Sequence, residues 1–338
     1  MNKQLRSFVF STDHLPKTIR FNVPPSKSIS NRMLLIRHLL RARGIRICLK
    51  NVSNCEDTGI IRSGIQAIES NTPTTVDCKN SATAYRFLNA LNNSGKGHLT
   101  LVMSQRLKER LGNNKMTSQN ISAKLLVNMF NDYNKVTVLP TKVSKPYINM
   151  TQSLIKWAKE AKNGEEYRIE RCWSSAAFAY CLMAVRKCGS VIIPQLKPSL
   201  LQGDSIAESL FRNFGVRTEF INRAAVLTFD PSLCVKGDIE IDLASYPDLY
   251  LPLAVAASQF RFTTRFINTQ AQSYKECDRM IAAEQLKRKP TDSLQIQTFG
   301  DHRVAMSFAM LAFRYGNVIL DNKNCVRKSF PNFWRNFR

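Results

Sequence analysis

The segment Pro25-Ser26-Lys27-Ser28-Ile29-Ser30-Asn31-Arg32 sets a lysine and an arginine five residues apart, with hydroxyls between them, directly ahead of the apolar run Met33-Leu34-Leu35-Ile36. Such side chains at a helix start can hold a phosphate or a carboxylate. Ser28 or Ser30 can cap the first turn, the helix N-terminus carries partial positive charge, and Lys27 and Arg32 add two full charges. The same residues also describe an ordinary capped helix with two solvated cations, and the segment alone does not separate the two. Comparable clusters open helical patterns at Asn80-Ser81-Ala82-Thr83, Thr117-Ser118-Gln119, Trp173-Ser174-Ser175, Gln202-Gly203-Asp204 and Gly300-Asp301-His302-Arg303. The recurrence reads as a weak internal repeat that gathers helix N-termini, and with them positive potential, into one anion-binding region.

Positioning such clusters requires alternating strands and helices, and the pattern supplies them. Ile45-Arg46-Ile47-Cys48-Leu49 precedes a helical stretch near Asp57 to Ile68, and Val191-Ile192-Ile193 precedes another from Ser205 to Phe214. The chain is of the α/β class. At 338 residues and 44% hydrophobic it is long enough for two domains, each with its own core.

Nine scattered cysteines, an odd number without a C-x-x-C pair, argue against a disulfide framework or a zinc site and for a reducing cytoplasm, with most of the thiols buried. No apolar run is long enough to span a bilayer, and the N-terminus lacks the pattern of a secretory signal. The 49 Lys and Arg against 25 Asp and Glu give a net charge of +24, which suits either nucleic acid or anionic substrates. The basic residues are spread from Arg41-Ala42-Arg43 through Lys287-Arg288-Lys289 to Arg335, without a basic tail or an RNA-binding motif, so they read as solvated surface.

Six segments, in order, carry a more specific pattern: Pro25 to Arg32; Asn80-Ser81-Ala82-Thr83-Ala84-Tyr85-Arg86; Arg106-Leu107-Lys108-Glu109-Arg110; Ser144-Lys145-Pro146-Tyr147-Ile148; Lys275-Glu276-Cys277-Asp278-Arg279; and Asp301-His302-Arg303-Val304-Ala305-Met306, followed by Cys325-Val326-Arg327-Lys328-Ser329-Phe330-Pro331. Together they resemble the 5-enolpyruvylshikimate-3-phosphate (EPSP) synthase family, enolpyruvyl transferases of the shikimate pathway. The resemblance implies two domains of repeated βαβαββ-type units facing each other across a cleft that closes on substrate. Residues 1–22 and 170–338 would form domain one, and residues 23–169 domain two.

The resemblance also implies roles for individual residues. Shikimate 3-phosphate would be held by Lys27, Ser28, Arg32, Thr117, Ser118, Gln119, Ser144, Tyr147, Asp248 and Lys275. Phosphoenolpyruvate would be held by Lys27, Asn80, Ala82, Arg110, Gln119, Glu276, Arg279, Arg303 and Lys328. Asp248 matches the acid–base aspartate of the family, Glu276 the glutamate beside the methylene carbon, and Lys27 would touch both substrates. No metal and no cofactor is implied, since arginine and lysine can neutralise the leaving phosphate. The expected partners are the two small anions, with no specific nucleic acid and no membrane, and the chain is expected to be a monomer.

Each motif has a plainer reading. His302 can be a buried hydrogen-bonded residue, Lys275 to Arg279 a solvated helical face, and Asp248 a helix cap, while Trp173 and Trp334 are packing residues. Ala82 stands where the family usually has glycine, Leu111 where it has proline and Cys172 where it has aspartate, and Gln272-Ser273-Tyr274 lacks the usual basic residue. The chain is shorter than typical members, with losses between motifs rather than in them. A degenerate non-catalytic or nucleic-acid-binding derivative and a UDP-sugar enolpyruvyl transferase remain the alternatives at this point.

Overall fold

The computed structural model describes residues 8–11, 16–96, 98–112, 117–130, 144–287 and 293–337. It divides into two compact units: Met1–Pro24 with Arg171–Arg338, and Pro25–Glu170. The first unit begins with strands β1 (Phe8–Ser11) and β2 (Thr18–Arg20). The chain then builds the whole second unit from α1 (Lys27–Arg41), β3 (Cys48–Lys50), α2 (Glu56–Glu69), β4 (Thr74–Asp77), α3 (Ala82–Leu91), β5 (Leu99–Val102), α4 (Gln105–Gly112), α5 (Ser118–Val127), α6 (Lys145–Glu160) and β6 (Glu166–Arg168). It returns to the first unit through α7 (Trp173–Arg186), β7 (Ser190–Pro194), α8 (Ala207–Arg212), β8 (Val216–Ile221), β9 (Ala224–Phe229), β10 (Ile239–Asp242), α9 (Tyr250–Ala257), β11 (Thr264–Ile267), α10 (Arg279–Ala283), β12 (Leu294–Ile296), α11 (His302–Ala309), α12 (Ala312–Tyr315) and β13 (Asn317–Leu320).

The first unit carries three sheets, ordered β2-β7-β9-β8, β1-β13-β12 and β10-β11. Its hub is α7, in which every residue from Ser175 to Val185 is buried; a helix apolar on all sides must lie inside the core rather than on it. The turn from α7 into β7 needs a glycine at position 189: its φ is +69°, and a Cβ there would stand 2.1 Å from the backbone oxygen of Lys17. Strands β8 and β9 meet at Asn222-Arg223, both with positive φ, as a two-residue hairpin whose twist matches that of the strands requires. In the second unit the described strands pair in parallel, β3 with β6 and β4 with β5.

Parallel pairing decides where the chemistry falls. Strands β10, β11, β12 and β13 lie in parallel pairs. The segments leaving their C-terminal ends carry Asp248, then Lys275, Glu276 and Arg279, then Asp301 and Arg303, then Lys328. The same rule holds in the second unit, where the chain leaving β3, β4 and β5 carries Asp57, Asn80 and Arg110 in turn. Ligands of open α/β sheets bind at these strand ends, where loops and helix N-termini are exposed to a common space.

Several sequence expectations are corrected here. Helix α1 starts at Lys27 because Ser26, not Ser28 or Ser30, caps it, accepting from the Ile29 amide at 3.4 Å. Ser30 is spent elsewhere: its hydroxyl accepts from the Ser53 amide at 2.9 Å. All nine cysteines are free thiols, but only Cys55, Cys78, Cys172 and Cys181 are buried, while Cys48 and Cys188 are exposed. Cys172 gives no cap bond to α7, and the Gln202 side chain takes over by accepting from the Trp173 amide at 3.1 Å. Arg288 and Lys289 lie outside the described residues. Among those described, no helix is long and apolar enough to cross a membrane.

Candidate active site

In the first unit three carboxylates and four cations form one cluster. Asp248 sits in the short turn Pro247–Leu249, directly ahead of α9. Its carboxylate pairs with Lys275 at 3.1 Å, Arg279 at 3.3 Å and Arg303 at 3.0 Å, and its backbone oxygen accepts from Arg303 at 3.1 Å. Glu276 takes Arg279 at 2.9 Å and Lys328 at 2.5 Å. Asp301 caps α11 by accepting from the Arg303 amide, and receives Arg279 Nε at 2.8 Å. The segment from Lys275 to Arg279 is therefore not a solvated face: Arg279 is 1% exposed, and its guanidinium is divided among three carboxylates. Asp278 caps α10 and so fixes where Arg279 begins to turn inward.

Electrostatics follow from this packing. Desolvation opposes ionisation of Asp248, but Arg303, Lys275 and Arg279 outweigh it and hold the carboxyl well below the usual range. Burial likewise opposes ionisation of Asp301, and Arg279 overrides it. Burial disfavours a charged Arg279, yet Asp301, Glu276 and Asp248 hold it protonated more firmly than an ordinary arginine. His302 is buried, its Nδ1 has no hydrogen-bond partner, and burial brings it down to about 3 despite Glu276 and Asp301, so it is neutral. It is buried as expected, but it does not belong to a hydrogen-bond network through that nitrogen. Glu276, Asp301 and His302 bring donor atoms within 4.8 Å of one another. Arg279 and Lys328 already occupy the carboxylate oxygens, so the surrounding charge opposes a divalent cation.

In the second unit Lys27 opens α1 and pairs with the buried Asp57 at 2.7 Å. Arg32 is turned into the protein. It is 2% exposed, and it donates to Thr151 Oγ1, Ser122 Oγ and the backbone oxygens of Ser28 and Tyr147, tying α1 to α5 and α6. Burial lowers it to about 10, with the Tyr147 hydroxyl acting the other way. Thr117 caps α5 in a capping box with Asn120, which places Ser118 and Gln119 in the first turn. Gln119 accepts from Arg86 at 2.5 Å and donates to Thr83 at 2.8 Å. Ser144 precedes α6 in the left-handed region, φ +57°, and presents Tyr147 one turn on. Asn80 accepts from Ser104, Ala82 is the first residue of α3, and Arg110 lies in the last turn of α4.

The structure links Asp248, Lys275, Glu276, Arg279, Arg303 and Lys328 through one chain of ion pairs, and it draws Arg32 away from the surface. Sequence reasoning missed Asp57, the counter-ion of Lys27, read Asp301 only as part of a helix start and not as the partner of Arg279, and gave no role to Arg86. Asp57 and Asp301 each stand in the first turn of a helix or at its cap, where carboxylates are favoured, and that signal was available.

The parallel-strand ends thus carry carboxylates among paired arginines and lysines, an arrangement with the charge to hold small anions. Residues 102–337 match the family model for EPSP synthase (3-phosphoshikimate 1-carboxyvinyltransferase), and the chain belongs to that family. It is 26% identical to the 3-phosphoshikimate 1-carboxyvinyltransferase of Bacteroides fragilis, covering 99% of this chain and 97% of that protein, and 26% identical to that of Methanoculleus marisnigri, covering 94% and 96%. The first alignment runs over 410 positions although the chain has 338 residues, so the shortening falls between shared segments. The fold is similar to that of EPSP synthase from Acinetobacter baumannii, with a TM-score of 0.65 at 16% identity over 97% of each chain, and of the enolpyruvyl transferase NikO from Streptomyces tendae, with a TM-score of 0.60 at 8% identity.

Proposed function

We propose that the chain transfers the enolpyruvyl group of phosphoenolpyruvate to the 5-hydroxyl of shikimate 3-phosphate and releases phosphate. The observation that carries this reading is the cluster around Asp248 and Glu276: two carboxylates able to move protons, ringed by cations able to hold a phosphate and a carboxylate. The hydroxyl oxygen attacks C2 while C3 is protonated; phosphate then leaves as C3 loses a proton. Asp248 takes the hydroxyl proton and Glu276 serves the methylene carbon. Lys275, Arg303 and Lys328 are the ligand-facing cations, at 24%, 9% and 12% side-chain exposure, whereas Arg279 and Arg32 position their neighbours. Met1–Pro24 with Arg171–Arg338 serves as the acid–base domain, and Pro25–Glu170 supplies Lys27, Ser28, Thr117, Ser118, Gln119, Ser144 and Tyr147 to the sugar phosphate. The free thiols accord with a reducing cytoplasm. The test is phosphate release by the purified chain. Turnover should require both substrates together, and a folded chain that releases none when given both is not this enzyme.

Ala82 gives a second expectation at the same site. It is 9% exposed at the start of α3, where glycine is usual, and its methyl group shortens the space for phosphoenolpyruvate. Glyphosate occupies that space in this family and is longer than the substrate. Overfilling a packed pocket costs about 1–3 kcal/mol, so Ala82→Gly should bind glyphosate roughly ten- to a hundredfold more tightly, with a smaller change for substrate. Parallel inhibition curves check this, and superimposed curves would rule out the steric account.

A further inference from the structure

The peptide planes on both sides of Asp248 are held by side chains from elsewhere in the first unit. Arg303 donates to the backbone oxygen of Asp248 at 3.1 Å, and Gln272 Nε2 donates to the backbone oxygen of Pro247 at 2.7 Å. Because a peptide unit is planar, fixing its oxygen fixes the direction in which the next Cα leaves it, so the two bonds together set where the Asp248 side chain begins. Gln272 lies in the short turn Gln270–Tyr274, which follows β11, and it is 0% exposed. Its backbone serves the other half of the same ion pair: the Gln272 amide donates to the Thr269 oxygen at 2.8 Å, and its carbonyl accepts from the Lys275 amide at 3.4 Å. Lys275 in turn reaches the Asp248 carboxylate at 3.1 Å. One residue thus ties down both the carboxylate and the lysine that faces it.

The side-chain amide of Gln272 is only half satisfied. Facing a carbonyl oxygen, it must present its NH2 group, which leaves Oε1 buried, and among the described residues nothing donates to it. A buried acceptor of this kind is costly, and an apolar side chain of the same length would fill the space without that cost. What the amide gains over such a side chain is the bond to Pro247, and local rules are broken in this way where a site needs a fixed geometry. We propose that Gln272 is a positioning residue for Asp248, holding the Pro247–Asp248 peptide so that the carboxylate stays between Lys275 and Arg303. Resting on the enolpyruvyl-transfer reading, this role places Gln272 behind the residue that takes the hydroxyl proton. A misplacement of about 1 Å at a reacting group can cost on the order of a hundredfold in rate, so the tie acts on turnover rather than on binding.

Gln272→Met keeps the length of the side chain and removes the donor, and two readouts on the full chain test the role. Carboxyl-carbon NMR of aspartate-labelled protein, with Asp248 assigned through Asp248→Asn, follows the carboxylate without requiring turnover. Loosened from its place between Lys275 and Arg303, Asp248 should titrate at higher pH in Gln272→Met than in the parent. In turnover, kcat should fall roughly ten- to a hundredfold while KM for phosphoenolpyruvate keeps its parental value, a split that a loss of stability alone does not produce. Gln272→Asn, which keeps the amide but is too short to reach Pro247, should move both readouts in the same direction and decides the matter where the methionine variant does not fold. An Asp248 titration unchanged by either substitution would overturn the role, as would parental kcat in folded variants of an active chain. A shifted titration in a chain whose parent shows no turnover would uphold Gln272 as the tie on Asp248 and sink the transfer reading instead.

Discussion

Asp248→Asn should lower kcat by about 10²–10⁴-fold, the usual contribution of a general base, without raising KM for either substrate. The substitution keeps the shape of the side chain and its place between Lys275 and Arg303, so the anion-holding cations stay where they are. What it removes is the proposed acceptor for the hydroxyl proton. A pH profile separates this role from a merely structural one. In the free protein three cations hold Asp248 well below the ordinary carboxylate range, so it is ionised throughout neutral pH. On the proposed reading, phosphoenolpyruvate at Arg303 and shikimate 3-phosphate at Lys275 would compete for these cations, weaken their grip and let the Asp248 pKa rise, which would make it a stronger base when the substrates are present. The acid limb of kcat should therefore lie at higher pH than that of kcat/KM. Near-parental kcat in Asp248→Asn would remove Asp248 from the proton transfer.

The helix starts were legible because capping is local. Ser81, Thr117 and Asp301 each accept a backbone amide two or three residues on, and the side chains that do so are recognisable in the sequence. Ser26 was misassigned for the same reason: three hydroxyls lie within five residues of one another, and only the backbone angle at Ser26, ψ 113°, decides that the helix has not yet begun. Burial of Arg32 was harder to see. Its surroundings in α1 are apolar or small from Ile29 to Ile36, all buried, but its partners Ser122 and Thr151 lie about 90 and 119 positions away and reach it only through tertiary packing.

The ordered motifs named the charged residues that the fold clusters around Asp248 and Glu276, but not how they pair with one another. Arg279, Arg303 and Lys328 read alike in sequence as cations for phosphoenolpyruvate. In the fold, Arg279 is enclosed by Asp248, Glu276 and Asp301, which come from three different strand ends, and only the other two retain exposed surface.

The enclosed Arg279 leads to the largest expected effect on stability. Arg279→Leu fills similar volume with apolar atoms and leaves Asp301, fully buried, together with Glu276 and Asp248 without the guanidinium they share. Removing one partner of a buried ion pair typically costs about 3–5 kcal/mol. The sign of the pH dependence follows from Asp301. In the parent, Arg279 holds the folded-state pKa of Asp301 below its unfolded value near 3.9, so its contribution is present above that value and lost as pH falls through the folded pKa. In the variant, desolvation is no longer countered by Arg279, the folded pKa rises above the unfolded one, and the resulting penalty is largest at neutral pH and relieved by acid. The difference in urea midpoint between parent and Arg279→Leu should therefore be wide at pH 7.5 and narrow towards pH 5. A gap that stays constant would mean that Arg303, Lys275 and Lys328 move in to neutralise the three carboxylates, and that Arg279 is replaceable as the tie that holds them.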